Sequence, residues 1–86
     1  MNITYSRKAA AELGDMPTID RARIVEKMRF FAKHDDPLAL AKRLVGVNIY
    51  RFRIGDYRAL FVIDNGIIHV ITIKRRDAAY RKIGLD

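Results

Sequence analysis

The sequence predicts an α+β fold in which two helices pack on one face of an antiparallel sheet. Turn signals at residues 55–56 and 65–66 separate three stretches in which apolar and polar residues alternate, the pattern of a half-buried meander. Apolar residues at helical spacing fill the preceding segment, 18–33. We expect one domain spanning residues 1–86, in the order strand, two helices, three strands and a short C-terminal helix.

The N-terminal elements follow from local signals. Residues 3–5 form a short opening strand, and Ser6 is a suitable N-cap for a first helix. Thr18 is a suitable cap for the second helix. Pro37 ends that helix, because the residue before a proline disfavours helical backbone angles. The second helix presents an apolar stripe at helical spacing that is best explained as core, comprising Ile24, Met28 and Phe31.

The C-terminal half predicts two consecutive hairpins. The first loop, Gly55-Asp56, has glycine at its first central position, and the second, Asn65-Gly66, is an Asn-Gly pair. Both are favoured in two-residue hairpin turns. Closing these turns places Arg53 opposite Arg58 on one side, and Arg58 opposite Ile73 on the other. The predicted strands span residues 49–54, 57–64 and 67–74.

The predicted meander has one apolar face and one face with arginines at one end. Arg53 and Arg58 stand directly opposite each other, and like charges in that position repel. The whole chain carries 17 basic and 10 acidic residues, a net charge of +7. Net charge alone is equally compatible with a generally soluble basic surface. The pairing of Arg53 with Arg58 favours a polyanionic partner, with nucleic acid the first candidate.

Composition excludes several kinds of site. With no cysteines there is no disulfide framework, no thiolate metal site and no cysteine nucleophile. The acidic residues are scattered and the histidines lack metal-ligand spacing, so we expect no metal and no cofactor. No apolar run approaches the roughly 20 residues that cross a bilayer, and the N-terminus lacks the features of a secretory signal. We therefore expect a cytoplasmic protein without a membrane partner.

Four short motifs, in this order and spacing, resemble the RelE/ParE superfamily of bacterial toxins from type II toxin–antitoxin systems. They are Leu44-Val45-Gly46, the segment 50–58 (YRFRIGDYR), Ile63-Asp64, and the segment 73–81 (IKRRDAAYR). The resemblance extends over essentially the whole chain.

The resemblance implies a toxin that a cognate antitoxin neutralises. RelE-like members are metal-independent endoribonucleases that cleave messenger RNA, commonly on the ribosome, and so inhibit translation. ParE-like members inhibit DNA gyrase and are not nucleases. A third possibility is an inactive toxin fold that regulates transcription, contacting operator DNA only in complex with the antitoxin. RNA cleavage is the leading interpretation, because the arginine cluster is dense and a C-terminal tyrosine is present.

The same resemblance implies which residues serve the reaction. The catalytic positions correspond to Arg51, Arg53, Arg58, Arg76 (or Arg75) and Tyr80. Arginine forks match the oxygens of a phosphorane, and a tyrosine can stack on a base or exchange a proton. Neighbouring cations are expected to contact RNA, namely Lys74, Arg75 and Arg81.

One departure from the family pattern bears on proton transfer. Some family nucleases carry lysines at the positions of Arg51 and Arg53, whereas arginine stays protonated in proteins and is a poor general base. Tyr80 would then have to act as the general base, with its pKa lowered by the surrounding positive charge. The alternative is that the reaction relies mainly on positioning and charge stabilisation.

An apolar strip beside the arginines is the expected antitoxin contact. By the predicted pairing, Leu60, Val62 and Ile71 are adjacent and exposed on the outward face. An acidic, partly disordered segment with an apolar face could fold onto such a strip. The alternative is that the chain's own tail, around Ile83 and Leu85, covers it.

Overall fold

The α+β fold class is confirmed by the computed structural model, which describes residues 1–76. The predicted C-terminal helix lies outside the described residues. The elements are β1 (Asn2–Tyr5), α1 (Arg7–Asp15), α2 (Thr18–Lys33), a 3₁₀ turn (Pro37–Leu40), β2 (Lys42–Arg43), β3 (Tyr50–Ile54), β4 (Tyr57–Asp64) and β5 (Ile67–Arg75).

The sheet is mixed rather than purely antiparallel. Its strand order is β1-β5-β4-β3-β2, and β1 pairs parallel to β5 while all other pairs are antiparallel. A parallel partner needs a long crossover, which the two helices and the following elements supply. Strand β2 was not predicted, because two residues are too few to establish an alternating pattern.

Both hairpin turns form as predicted. Gly55 has a φ of 58°, and Asn65 and Gly66 have φ values of 52° and 73°. Positive φ at both central positions is what an Asn-Gly loop provides at little steric cost. The first turn places Arg53 opposite Arg58, which confirms the register predicted for that hairpin.

The register of the second hairpin differs from the prediction at the end nearest the arginines. Phe61 pairs with Val70 as expected, but Leu60 pairs with Thr72, which leaves Ile71 as an extra residue in β5. Such a β-bulge shifts all later pairs by one position. Arg58 is therefore opposite Lys74, and the predicted pairing with Ile73 is wrong.

The core is built around stacked aromatic rings between α2 and the sheet. Phe52 lies between Phe31, at a centroid distance of 3.9 Å, and Phe61, at 4.3 Å. Phe52 and Phe61 are completely buried, and Ile24 and Met28 of α2 pack into the same cluster. The apolar stripe predicted for the second helix is therefore core.

The two helices begin differently. The Ser6 hydroxyl accepts a hydrogen bond from the Ala9 N–H at 3.0 Å, as predicted for a cap. Thr18 is instead the first residue of α2, and Pro17 occupies the cap position without a side-chain bond, so the cap predicted for Thr18 is wrong. Neither helix, within the described part of the chain, is long and apolar enough to cross a membrane.

Candidate functional site

Three adjacent strands place basic residues side by side at one end of the sheet. Arg53 on β3 is opposite Arg58 on β4, and Arg58 is opposite Lys74 on β5. We call Arg53, Arg58 and Lys74 the basic row. Arg51 precedes Arg53 by two residues and so lies on the same face of β3.

Arg58 is buried at the centre of the basic row, with an exposed fraction of 3%. Its Nη1 donates to the carbonyl oxygens of Tyr57, at 2.9 Å, and Gly55, at 3.1 Å. Among the described residues, its Nε finds no hydrogen-bond partner. The predicted outward position is correct, but the guanidinium is enclosed rather than open to water.

The charge of Arg58 is disfavoured by its surroundings. Burial lowers the pKa of its guanidinium, and repulsion from Arg53, Arg51 and Arg76 lowers it further, while Asp56 opposes this effect. Arginine nevertheless remains protonated at neutral pH. Several like charges are thus held close together around a buried cation, an arrangement that a bound anion would stabilise.

The two strand arginines flank this buried cation. Arg53 is exposed, whereas Arg51 is half-buried opposite Leu60. Burial lowers the pKa of Arg51, and the nearby charge of Arg53 contributes. The predicted cluster of Arg51, Arg53 and Arg58 is therefore brought together.

The end of β5 separates Arg75 from Arg76. The Arg76 backbone N–H donates to the Asp56 carbonyl at 2.9 Å, which holds it at the tip of the β3–β4 hairpin. Arg75 instead lies over the ring of Tyr57, 5.8 Å from its centroid. Of the two alternatives, Arg76 is the one whose charge acts on Arg58. The other predicted residues of this segment, Tyr80 and Arg81, lie outside the described residues.

Tyr57 anchors the same hairpin to α2. Its hydroxyl donates to Asp20 Oδ2 at 2.9 Å, and this bond is the main reason that the pKa of Tyr57 is raised. Tyr57 is therefore a structural residue that ties the hairpin to α2.

Lys74 is paired with a carboxylate that the sequence did not reveal. Its Nζ lies 2.5 Å from Glu12 Oε2. Glu12 also accepts hydrogen bonds from the Thr72 hydroxyl, at 2.7 Å, and from the Ile73 N–H, at 3.0 Å. Burial raises the pKa of the Glu12 carboxyl, but these bonds and the charge of Lys74 outweigh it and lower the pKa overall.

The apolar strip is only partly exposed. Leu60 is buried, with 2% of its surface exposed, so its predicted exposure is wrong. Val62 is half-buried, and Ile71, the bulge residue, is 37% exposed.

This arrangement is suited to bind an anion. Arginine donors on neighbouring strands surround a buried guanidinium, and fork-shaped N–H groups match phosphate oxygens. Within residues 1–76, no three His, Asp or Glu side chains are grouped in a way that could hold a metal ion.

Comparison with known proteins identifies one family. A family model described as the ParE toxin of the type II toxin–antitoxin system parDE matches residues 3–80. No match was found among curated proteins.

Several solved structures share the fold. A chain of the toxin–antitoxin complex RelBE2 from Mycobacterium tuberculosis superposes with a TM-score of 0.75 and 24% identity, covering 87% of this chain and 90% of that one. A chain of the E. coli RelBE complex superposes with a TM-score of 0.71 at 15% identity, covering 87% of this chain and 95% of that one. A chain of the YoeB–YefM complex from Staphylococcus aureus superposes with a TM-score of 0.69 at 19% identity, covering 88% of this chain and 97% of that one.

Proposed function

This chain belongs to the ParE toxin family of type II toxin–antitoxin systems, and we propose that it is a RelE-like toxin that cleaves messenger RNA, in association with the ribosome. The observation that carries this proposal is the buried Arg58, which has repelling arginines around it and an unpartnered Nε within the described part of the chain. A scissile phosphate would supply the missing negative charge.

The proposed reaction is the attack of an RNA 2′-hydroxyl on the adjacent phosphorus. The 2′-oxygen loses its proton and forms a bond to phosphorus, and the bond from phosphorus to the 5′-oxygen breaks as that oxygen gains a proton. The phosphorane between these steps carries additional negative charge, which donors already fixed in position stabilise. Arg51, Arg53, Arg58 and Arg76 are proposed for that role.

Proton transfer is assigned to Tyr80. Arginines occupy both strand positions where some RelE-like nucleases have lysine, and arginine is a poor base. Tyr80 follows the basic segment closely in the chain, and it is the tyrosine that the family resemblance assigns to the reaction. Arg75 and Arg81 are proposed to contact the RNA backbone on either side. Lys74, the third cation predicted to contact RNA, is paired with Glu12 and is left out of this proposal.

Gyrase inhibition is the second candidate function. It is favoured by the family model itself, which describes a ParE toxin, and by the missing strand lysines. In that case the arginine cluster would contact a protein target and no RNA would be cut.

Two assays on the purified protein separate these functions. If the protein is RelE-like, messenger RNA translated in vitro in its presence should acquire new 5′ ends. The same protein should leave DNA supercoiling by gyrase unaffected. Blocked supercoiling with intact RNA would establish the ParE-like function instead. Within the first outcome, Tyr80→Phe should slow cleavage by about 10²–10⁴-fold while RNA affinity changes little. Equal losses in cleavage and binding would make Tyr80 a binding residue only.

A cognate antitoxin is the proposed protein partner, since similar structures are of toxin–antitoxin complexes. Operator DNA would be contacted only by that complex. Ile71 and Val62 remain the proposed antitoxin contact, without the buried Leu60. Co-expression with the antitoxin should restore growth, and Ile71→Asp should weaken the complex. A folded Ile71→Asp variant that binds the antitoxin as tightly as the parent would exclude this surface.

A further inference from the structure

Lys74 and Arg58 are neighbours across the β4–β5 ladder but have opposite electrostatic environments. Arg58 is surrounded by Arg53, Arg51 and Arg76, whereas the Lys74 ammonium is paired with Glu12 at 2.5 Å. The Lys74 side chain is 24% exposed and that of Glu12 is 16% exposed. A partly buried pair of this kind is held more firmly than a surface ion pair.

The position of Glu12 follows from the topology of the sheet edge. Strand β1 pairs with β5 only from Ile67 to Val70, so the rest of β5 has no neighbouring strand on that side among the described residues. Ser6 covers the first part of this open edge, where its hydroxyl donates to the Ile71 carbonyl at 2.6 Å. Glu12, on the helix that follows, accepts from the Ile73 N–H at 3.0 Å. The carboxylate therefore takes the place of a missing strand.

Resting on the proposed RNA-cleaving function, we propose that Glu12 is a positioning residue that withdraws Lys74 from the RNA phosphate. The phosphate is then bound by arginines alone. A lysine paired with a carboxylate offers an anion little net charge, and the carboxylate itself repels it. Arginine forks hold a phosphate in a defined orientation, whereas a free ammonium on a flexible stem would attract it as a point charge.

Glu12→Gln removes the negative charge of residue 12 but keeps a hydrogen-bond acceptor there. The amide oxygen of glutamine can still accept from the Ile73 N–H and the Thr72 hydroxyl, so the edge of β5 stays covered. What is lost is the negative charge that holds Lys74. The ammonium then becomes available on the same ladder position as Arg58.

The first experiment follows the Lys74 side chain by NMR during titration with inorganic phosphate. In the parent, the Lys74 Cε and Hε resonances should not respond, and in Glu12→Gln they should shift in a saturable way. Lys74→Met in the parent background assigns the resonance. A saturable Lys74 shift in the parent would overturn the proposal, as would a Lys74 that stays silent in a folded Glu12→Gln variant.

The second experiment measures the salt dependence of binding to a 2′-O-methyl oligouridylate, which cannot be cleaved through its 2′-oxygen. Each cation that contacts a single-stranded phosphate adds about 0.7 to the slope of log affinity against log salt concentration. Glu12→Gln should steepen the slope by about 0.7, Lys74→Met should leave it unchanged, and the double variant should match the parent. A shallower slope in Lys74→Met alone would mean that Lys74 already contacts RNA, which overturns the proposal.

The two experiments also separate this proposal from the proposed function. If the parent protein neither binds nor cleaves RNA, the proposed function is refuted. The NMR titration with phosphate still tests whether Glu12 keeps Lys74 from binding an anion. Conversely, RNA cleavage with a phosphate-responsive Lys74 in the parent would retain the function and refute the role of Glu12.

Discussion

The β5 side and the β3–β4 hairpin side of the basic row manage positive charge in opposite ways. At the β5 edge, Lys74 is neutralised by Glu12, which also accepts hydrogen bonds from the backbone and from Thr72. At the β3–β4 hairpin, Arg58 is more deeply buried. Within residues 1–76 its guanidinium donates to two carbonyl oxygens, and the charges around it are chiefly positive.

We interpret this difference as a division between a structural side and a side that binds a partner. Burying a charge without a partner of opposite charge destabilises the folded state. The fold supplies such a partner to the neighbouring strand, where Glu12 pairs with Lys74. Groups whose pKa is shifted by burial and like charges are typical of functional sites. We therefore propose that the hairpin side gives up stability in order to bind an anion, whereas Glu12 stabilises the β5 edge.

The largest effect is expected from removing the buried charge of Arg58. Arg58→Met keeps most of the side-chain length but eliminates the buried guanidinium and its repulsion by Arg53, Arg51 and Arg76. RNA cleavage should fall by about 10²–10³-fold, the loss typical for one fixed donor to a developing charge. Growth inhibition on induction and the rate of RNA cleavage in vitro measure the effect.

Thermal stability supplies the control for Arg58→Met. The lost hydrogen bonds to Gly55 and Tyr57 are offset by the lost repulsion and desolvation, so the melting temperature should stay level or rise. A large fall in melting temperature would make Arg58 a structural residue of the turn. Full toxicity in the variant would exclude the hairpin side as the site.

On the β5 side, the expected effect is on stability. Glu12→Ala leaves the Ile73 N–H and the Lys74 ammonium without their acceptor, which should lower the free energy of unfolding by about 1–3 kcal/mol. Urea unfolding at neutral pH measures the difference. Asp15→Ala, which changes an exposed carboxylate of the same helix, is the matched control and should have a much smaller effect.

The contribution of Glu12 should also depend on pH. Because its pKa is lower in the folded protein than in the unfolded chain, its stabilising effect is present above the unfolded pKa of about 4.3 and is lost as pH falls through the folded pKa. The difference in unfolding free energy between the parent and Glu12→Ala should therefore shrink on acidification. A difference that stays constant from neutral to strongly acidic pH would contradict the ion pair.

Local chemistry explains which parts of this architecture were predictable. The Asn65-Gly66 turn requires positive φ at two successive positions, which few other residue pairs allow, so the sequence determines the hairpin and its initial register. Ser6 likewise caps its helix through a bond within one turn. The pairing of Arg53 with Arg58 follows from the first turn alone.

The remaining features depend on contacts between distant parts of the chain. The bulge at Ile71 carries no glycine or other local signal, yet it alone brings Lys74 rather than Ile73 opposite Arg58. Glu12 and Ile73 are 61 positions apart, and an isolated glutamate on an amphipathic helix is ordinarily a solvated residue. The burial of Arg58 and Leu60 could not be read from strand alternation, which assigns a face but not what covers it.

The smallest expected effect concerns the exposed member of the row. Arg53→Gln removes one partner of the cross-strand repulsion with Arg58 while leaving the backbone ladder intact. The free energy of unfolding should rise slightly, by about 0.2–1 kcal/mol, because like charges opposite each other are destabilising. If Arg53 also contacts a phosphate, the salt-dependence slope of RNA binding should fall by about 0.7. Arg53→Lys is the control, since it keeps the charge and should therefore retain both the parent's slope and its repulsion. If Arg53→Gln raises stability without changing the slope, the anion site is confined to Arg58 and its other neighbours. If Arg53→Gln lowers stability, the repulsion between Arg53 and Arg58 is already relieved in the free protein.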